Sequence, residues 1–184
     1  MRLNIEQIND ANPQKPCCRS LMPALSCRDS YYLPEGIVGF ENIKGLRVRC
    51  VPSAQPFFFL EAVGAAPLCF PAIDPFLVYP AYEPVLSAND LAYLELDDPR
   101  EALFICLVNW GNGPFSATVN LRGPLALNRE QRRARQVDCG AEDYPLRFAL
   151  THVFQNRVSN TPPSRRITLP DGTACTACFT QATA

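Results

Sequence analysis

Hydrophobic positions along this chain repeat mostly with a period of two and in short runs. Leu46-Arg47-Val48-Arg49-Cys50-Val51 alternates apolar and basic side chains, the pattern of a half-buried strand. Phe57-Phe58-Phe59-Leu60-Glu61-Ala62-Val63 is an apolar run of strand length, and Cys69 and Phe70 lie in a further short strand. Phe76-Leu77-Val78-Tyr79 forms another short segment, closed by Pro80. Leu103-Phe104-Ile105-Cys106-Leu107-Val108 is continuously apolar, as expected of a strand covered on both faces. Asn109-Trp110-Gly111-Asn112-Gly113-Pro114 then predicts a turn. The chain returns through Phe115–Leu121, with Ala117, Val119 and Leu121 on one face and Ser116, Thr118 and Asn120 on the other. Pro124–Leu127 and Arg135–Cys139 predict a last pair of strands. One short helix is expected over Ser87–Leu94, capped by Ser87 or Asn89.

Many short strands and little helix predict an all-β domain, a small antiparallel β-barrel or sandwich. Composition agrees, because 18 of the 184 residues are proline, about twice average usage, and they are spread along the chain. Residues 1–30 show no sustained period and read as an N-terminal extension. Residues 31–150 form the domain, and residues 151–184 read as a C-terminal tail that need not pack. The opening residues are too polar for a signal peptide, and the apolar region Pro56–Pro84 is broken by acidic residues and prolines. A cytoplasmic protein with reduced thiols and no membrane span is therefore expected.

The net charge is −1, which leaves no global excess of basic residues for a polynucleotide. Counting by segment changes this picture. Residues 31–128 carry 5 basic and 10 acidic side chains, while residues 129–169 carry 8 and 4. An acidic domain is thus balanced by the basic run Arg129–Arg135, read as a solvated turn or helix, or as a phosphate or acidic-partner contact. An acidic domain suits docking to a basic protein surface. Glu95, Asp97, Asp98 and Glu101, clustered before the long apolar strand, are the candidate residues for that face, with a solvated loop as the alternative.

Catalytic constellations are weak. His152 is the single histidine and stands at the edge of the tail, and Asp97-Asp98-Pro99 is most simply a turn. Gly111-Asn112-Gly113 lacks the lysine and strand-to-helix setting of a phosphate loop. Cys175 and Cys178 have the spacing of half a metal site or a redox pair, completed by Cys17, Cys18, Cys27 or His152. Cys50, Cys69, Cys106 and Cys139 read as core thiols. No cofactor is implied. A cysteine-based metal or redox protein and a small-barrel ligand carrier stand as alternative readings.

The central region resembles the flagellar assembly factor FliW family. The likeness runs in order through Leu33-Pro34-Glu35-Gly36-Ile37-Val38-Gly39-Phe40-Glu41, Pro56–Ala62, Phe70, Asp74-Pro75 and Tyr82. It continues through Ala117-Thr118-Val119-Asn120-Leu121-Arg122-Gly123-Pro124, Leu127-Asn128, Arg135-Gln136-Val137 and Tyr144-Pro145-Leu146-Arg147. Gly123 stands where the family usually has alanine, Asp138-Cys139 replace an aliphatic pair, and Phe148 replaces a common histidine. The resemblance implies a non-enzymatic β-barrel that binds newly made flagellin. When free of it, such a protein binds the translational regulator CsrA and relieves repression of flagellin translation. In this reading Asn120, Leu121, Pro124 and Asn128 are motif residues with a structural or binding role. No contact with nucleic acid is implied. A flagellin helical segment calls for an apolar groove, for which Phe76, Tyr79 and Tyr82 are candidates or core residues.

Overall fold

The computed structural model describes residues 25, 26, 28–64, 67–113, 116–139, 144–151 and 153, and the backbone of 166–168 and 174–177. Its strands are β1 (Ser30–Tyr32), β2 (Gly45–Cys50), β3 (Phe58–Ala62), β4 (Leu68–Ile73), β5 (Leu103–Asn109), β6 (Thr118–Val119), β7 (Leu125–Asn128), β8 (Arg133–Gln136) and β9 (Phe148–Ala149). Two further strands, β10 (Arg166–Thr168) and β11 (Ala174–Ala177), follow. The helices are α1 (Pro75–Val78) and α2 (Ala88–Leu94).

Seven strands close into a barrel in the order β4-β3-β2-β1-β8-β7-β5, sealed by β4 pairing with β5. Every barrel pairing is antiparallel except β1 with β8, which join in parallel at Tyr32↔Arg133. The all-β expectation holds, with β6 and β9 extending the sheet beside the end of β5.

The continuous apolar run of β5 has a direct structural cause. Ile105 and Leu107 pack into one hydrophobic cluster with Leu46, Val48 and Phe58. Phe104, Cys106 and Val108 pack into a second, with Tyr82, Leu94 and Val119. Both faces of the strand are dry, so neither tolerates a polar residue. On the return strand Ala117, Val119 and Leu121 are buried while Ser116 is exposed, the alternation expected from the sequence. On β2, Arg47 and Arg49 leave the core and both approach Glu61 on β3, at 3.8 and 3.0 Å.

Three expectations are corrected. The segment Phe76–Tyr79 is not a strand: Pro75–Val78 is a helical turn ended by Tyr79, because Asp74 caps it by accepting the Phe76 N–H at 2.9 Å and Pro75 suits the first helical position. The basic run is neither a helix nor a solvated turn throughout. It is a tight turn followed by β8, and Arg132, Arg133 and Arg135 reach back to acids on other elements. The C-terminal tail does pack at two places, where β10 and β11 pair with each other and β11 joins β4. Among the described residues no helix is long and apolar enough to cross a membrane.

Candidate functional site

The sequence fragments that carry the family resemblance lie far apart in the chain, and the fold brings several of them to one place. Gln136 on β8 is the hub. Its side-chain oxygen accepts the Val38 N–H at 2.9 Å, and its amide nitrogen donates to the Gly123 carbonyl at 3.1 Å. One side chain therefore ties the Leu33–Glu41 loop to the Asn120–Pro124 corner.

That corner builds itself from local chemistry. The Asn120 side-chain oxygen accepts the N–H groups of Arg122 and Gly123 at 3.0 and 2.9 Å, an Asx-type turn that sends the chain from β6 into β7. Leu121 is fully buried, and its carbonyl accepts the Tyr82 hydroxyl at 2.5 Å. Pro124 is buried too, and its carbonyl accepts the Val137 N–H. Burial pushes the Tyr82 hydroxyl pKa well above the usual tyrosine range, so it remains a donor at any working pH.

Asn128 does similar work one turn later. It is 4 % exposed, its amide donates to the Leu94 and Glu95 carbonyls at 2.9 and 3.0 Å, and its oxygen accepts from the Glu130 and Gln131 N–H groups. It fastens the end of α2 to the β7–β8 turn. The geometry of Asn120, Leu121, Pro124 and Asn128 is that of residues shaping the surface rather than forming it.

Arg135 adds an ionic centre beside this framework. Its guanidinium meets Glu35 through two nitrogens at 3.1 and 3.2 Å, lies 3.2 Å from Asp90, and sits 4.6 Å from the Tyr93 ring centroid. Its side chain is 16 % exposed, so this fork-like pairing is partly shielded from water. Arg133 pairs with Glu95 at 2.6 Å and Arg132 with Asp29 at 2.7 Å. Three of the four arginines in the Arg129–Arg135 run are thus paired with acids of the same molecule.

The acidic candidates divide in two. Glu95 occupies the left-handed C-cap of α2, with φ +57°, and faces Arg133. Asp98 caps the short 3-10 turn Pro99–Glu101 and grips Arg100, which holds its carboxyl below the usual range. Asp97 and Glu101 are exposed on the same connection between α2 and β5. Of the aromatic candidates, Tyr82 is fully buried and Phe76 packs against the second cluster. Tyr79 is 37 % exposed, with its ring against Tyr144 and Phe148. Leu77 and Leu146, at 44 % and 59 %, are exposed on the two segments that Tyr79 joins. Nothing in the sequence separated these two leucines from core residues.

Among cysteines, Cys69, Cys106 and Cys139 are buried thiols outside any disulfide, as expected. Cys50 is disulfide-bonded and is not the free core thiol expected of it; none of the other described cysteine side chains is its partner. Cys17, Cys18, Cys27, Cys178 and His152 lie outside the described residues, and Cys175 is described in its backbone alone. Among the described residues no group of three metal-ligating side chains comes together.

The FliW protein family model matches residues 24–150. A flagellar assembly factor FliW of Geotalea uraniireducens is 36 % identical over 128 residues, covering 70 % of this chain and 78 % of the relative. One of Syntrophus aciditrophicus is 31 % identical over 136 residues, covering 74 % and 84 %. A crystal structure of the flagellar assembly factor FliW superposes with a TM-score of 0.60 at 26 % identity, covering 66 % of this chain and 85 % of that one. The barrel, the convergence of its motif fragments and these matches agree: the chain belongs to the FliW family of flagellar assembly factors.

Proposed function

We propose that the protein is a non-enzymatic, cytoplasmic regulator that binds flagellin and, when free of it, binds a CsrA-type translational regulator and relieves repression of flagellin translation. Family membership over residues 24–150 carries this reading. The framework around Gln136 supports it, since that side chain ties together two of the fragments that carry the family resemblance. The direct experiment is co-purification of the full chain with flagellin and with the CsrA-type protein from the same cell. Recovery of both is expected, and recovery of neither overturns the reading.

Two faces are assigned within it. Asp97 and Glu101 are exposed and suit steering toward a basic regulator, whereas Glu95 and Asp98 are occupied by Arg133 and Arg100. The double variant Asp97→Lys/Glu101→Lys should weaken regulator binding on the order of tenfold, mainly through slower association, and flatten its salt dependence. Unchanged affinity and salt slope would remove this face from the proposal.

Leu77, Tyr79 and Leu146 offer an apolar patch suited to one face of a flagellin helix. Leu146→Glu should reduce flagellin recovery several-fold while leaving the regulator bound, which a pull-down with both partners reads directly. Equal loss of both partners would assign the patch to folding instead.

A further inference from the structure

Cys50 is disulfide-bonded while Cys69, Cys106 and Cys139 stand outside any disulfide, so its partner is one of Cys17, Cys18, Cys27, Cys175 and Cys178. The sheet register separates these. Cys50 ends β2 in a row that runs through Phe58 to Ala72, whereas Thr176 and Ala177 stand beside Leu68 and Cys69. From Cys69 to Ala72 is roughly 10 Å along the strand, and β11 lies three strands from β2, roughly 14 Å around the sheet. Disulfide-bonded residues have Cα atoms only about 4.4–6.8 Å apart, which puts Cys175, and Cys178 next after Ala177, out of reach. The N-terminal side leads straight to Cys50. β1 pairs with β2 at Tyr31↔Leu46 and Ser30↔Arg47, and the Val48 N–H carries the pairing one step further, to the Asp29 carbonyl at 2.7 Å. Two more residues in that register bring Cys27 opposite Cys50. The faces agree, because Tyr31 and Leu46 belong to the first hydrophobic cluster, and Leu25 and Cys50 both pack against it. The Ser26 carbonyl accepts the Arg28 and Asp29 N–H groups and the Asp29 carboxylate accepts the Ser26 N–H at 3.1 Å, a tight bend on the end of β2.

We propose that Cys27 and Cys50 are joined in a reducible clasp, opened by a dithiol and closed by a small disulfide, and that the clasp fastens the seam between β1 and β8. That seam is the shortest in the barrel, a single pair, Tyr32↔Arg133, with the Tyr32 N–H donating to the Arg132 carbonyl at 2.7 Å. The Asp29 carboxylate reinforces it by meeting the Arg132 guanidinium at 2.7 Å, and its side chain is 10 % exposed. Arg132 also lies 5.8 Å from the Tyr31 ring centroid. A bond at Cys27, two residues before Asp29, holds that carboxylate on the seam. Cys50 is only partly buried, which leaves its sulfur open to attack. In opening, one thiolate of the dithiol breaks the S–S bond and forms a mixed disulfide, and its second thiol displaces the remaining cysteine. Two electrons and two protons pass to Cys27 and Cys50, which become thiols, while the dithiol becomes a disulfide. Exchange with a small disulfide runs the same step in reverse. The proposal is independent of the flagellin and regulator reading, and its test uses neither partner.

The test has two parts, both on the full chain. Protein equilibrated with oxidised glutathione is alkylated and cut with trypsin and a protease that cleaves after Glu. This puts Cys17 and Cys18, Cys27, Cys50, and Cys175 and Cys178 on four separate peptides, residues 7–19, 20–28, 50–61 and 167–184. Mass spectrometry should find 20–28 joined to 50–61. A join from 50–61 to 7–19 or to 167–184, or Cys50 alkylated throughout, overturns the proposal. In the second part, exchange of the Tyr32 amide is followed with and without dithiothreitol, with the β3–β4 amides as an internal control. Reduction should speed Tyr32 exchange about fivefold or more while the β3–β4 amides change little. Cys27→Ser should show the fast rate from the start and no response to the dithiol, and Cys17→Ser/Cys18→Ser should behave as the unaltered chain. A Tyr32 rate indifferent to dithiothreitol, or one that rises no more than the β3–β4 rates, overturns the proposal. Should Cys27→Ser fail to fold, the reduced full chain alone decides.

Discussion

Gly36→Ala should lower the melting temperature by about 6–12 °C, the largest loss expected from removing no contact at all. Gly36 has φ +76°, in the left-handed region, and its N–H closes a turn on the Leu33 carbonyl at 2.9 Å. A Cβ there would stand 2.6 Å from the Glu41 Cα and 2.8 Å from that residue's carbonyl carbon and oxygen. These are backbone atoms, so no side-chain rotation relieves the overlap. Left-handed strain costs about 1 kcal/mol, and separating two backbone segments brings the expected total to about 3 kcal/mol. Gly39 provides the control. Its φ is +83°, yet nothing lies within 4 Å of a Cβ placed on it, so Gly39→Ala should cost the strain alone. Calorimetric melts of the two variants read the difference, and equal losses would refute the role assigned to the Glu41 backbone.

Asn128→Ala should destabilise the protein by about 2–6 kcal/mol, from four hydrogen bonds that each contribute about 0.5–1.5 kcal/mol net. The effect is large because the carbonyls of Leu94 and Glu95 and the N–H groups of Glu130 and Gln131 all lose a partner together. Denaturant melts measure the total, and hydrogen exchange locates it. The Glu130 and Gln131 amides should exchange faster than those of β2 and β3. Unchanged protection at the β7–β8 turn would mean that the turn holds itself without Asn128.

The strands were legible because their apolar spacing is a local property. β5 reads as a two-sided strand from six residues, and Ser87 announces α2 because its oxygen accepts the Asp90 N–H while Asp90 bonds back. The misread elements depend on a neighbour outside the window. Phe76–Tyr79 has the composition of a strand and is turned into a helix by Asp74 and Pro75 before it. The Arg129–Arg135 run looks like a free basic patch until the fold brings Asp29, Glu35, Asp90 and Glu95 against it. β10 and β11 carry no alternating pattern, and β11 joins the sheet at β4, whose partners Leu68 and Cys69 lie about a hundred residues earlier in the chain.

The motif residues show the same division. Asn120 and Asn128 were recognisable as important through the resemblance alone, and their side chains turn out to satisfy backbone groups in corners. The exposed pair Asp97 and Glu101 differs from its neighbours Glu95 and Asp98 only in what stands beside each, which requires coordinates. Leu77 and Leu146 could not be distinguished from buried leucines, because exposure at a loop follows from the packing of Tyr79, Tyr144 and Phe148.

The parallel join between β1 and β8 imposes an order on synthesis. Tyr32 leaves the ribosome about a hundred residues before Arg133, its partner across the join, which at 5–20 residues per second is an interval of about 5–20 s. Once Ala62 has followed, β1, β2 and β3 can pair with one another as a meander, but β1 has an uncovered edge and the inward face of the meander has no lid. The nascent chain is therefore at its stickiest midway through its own translation, and it becomes a closed body only when the turn shaped by Asn128 delivers β8.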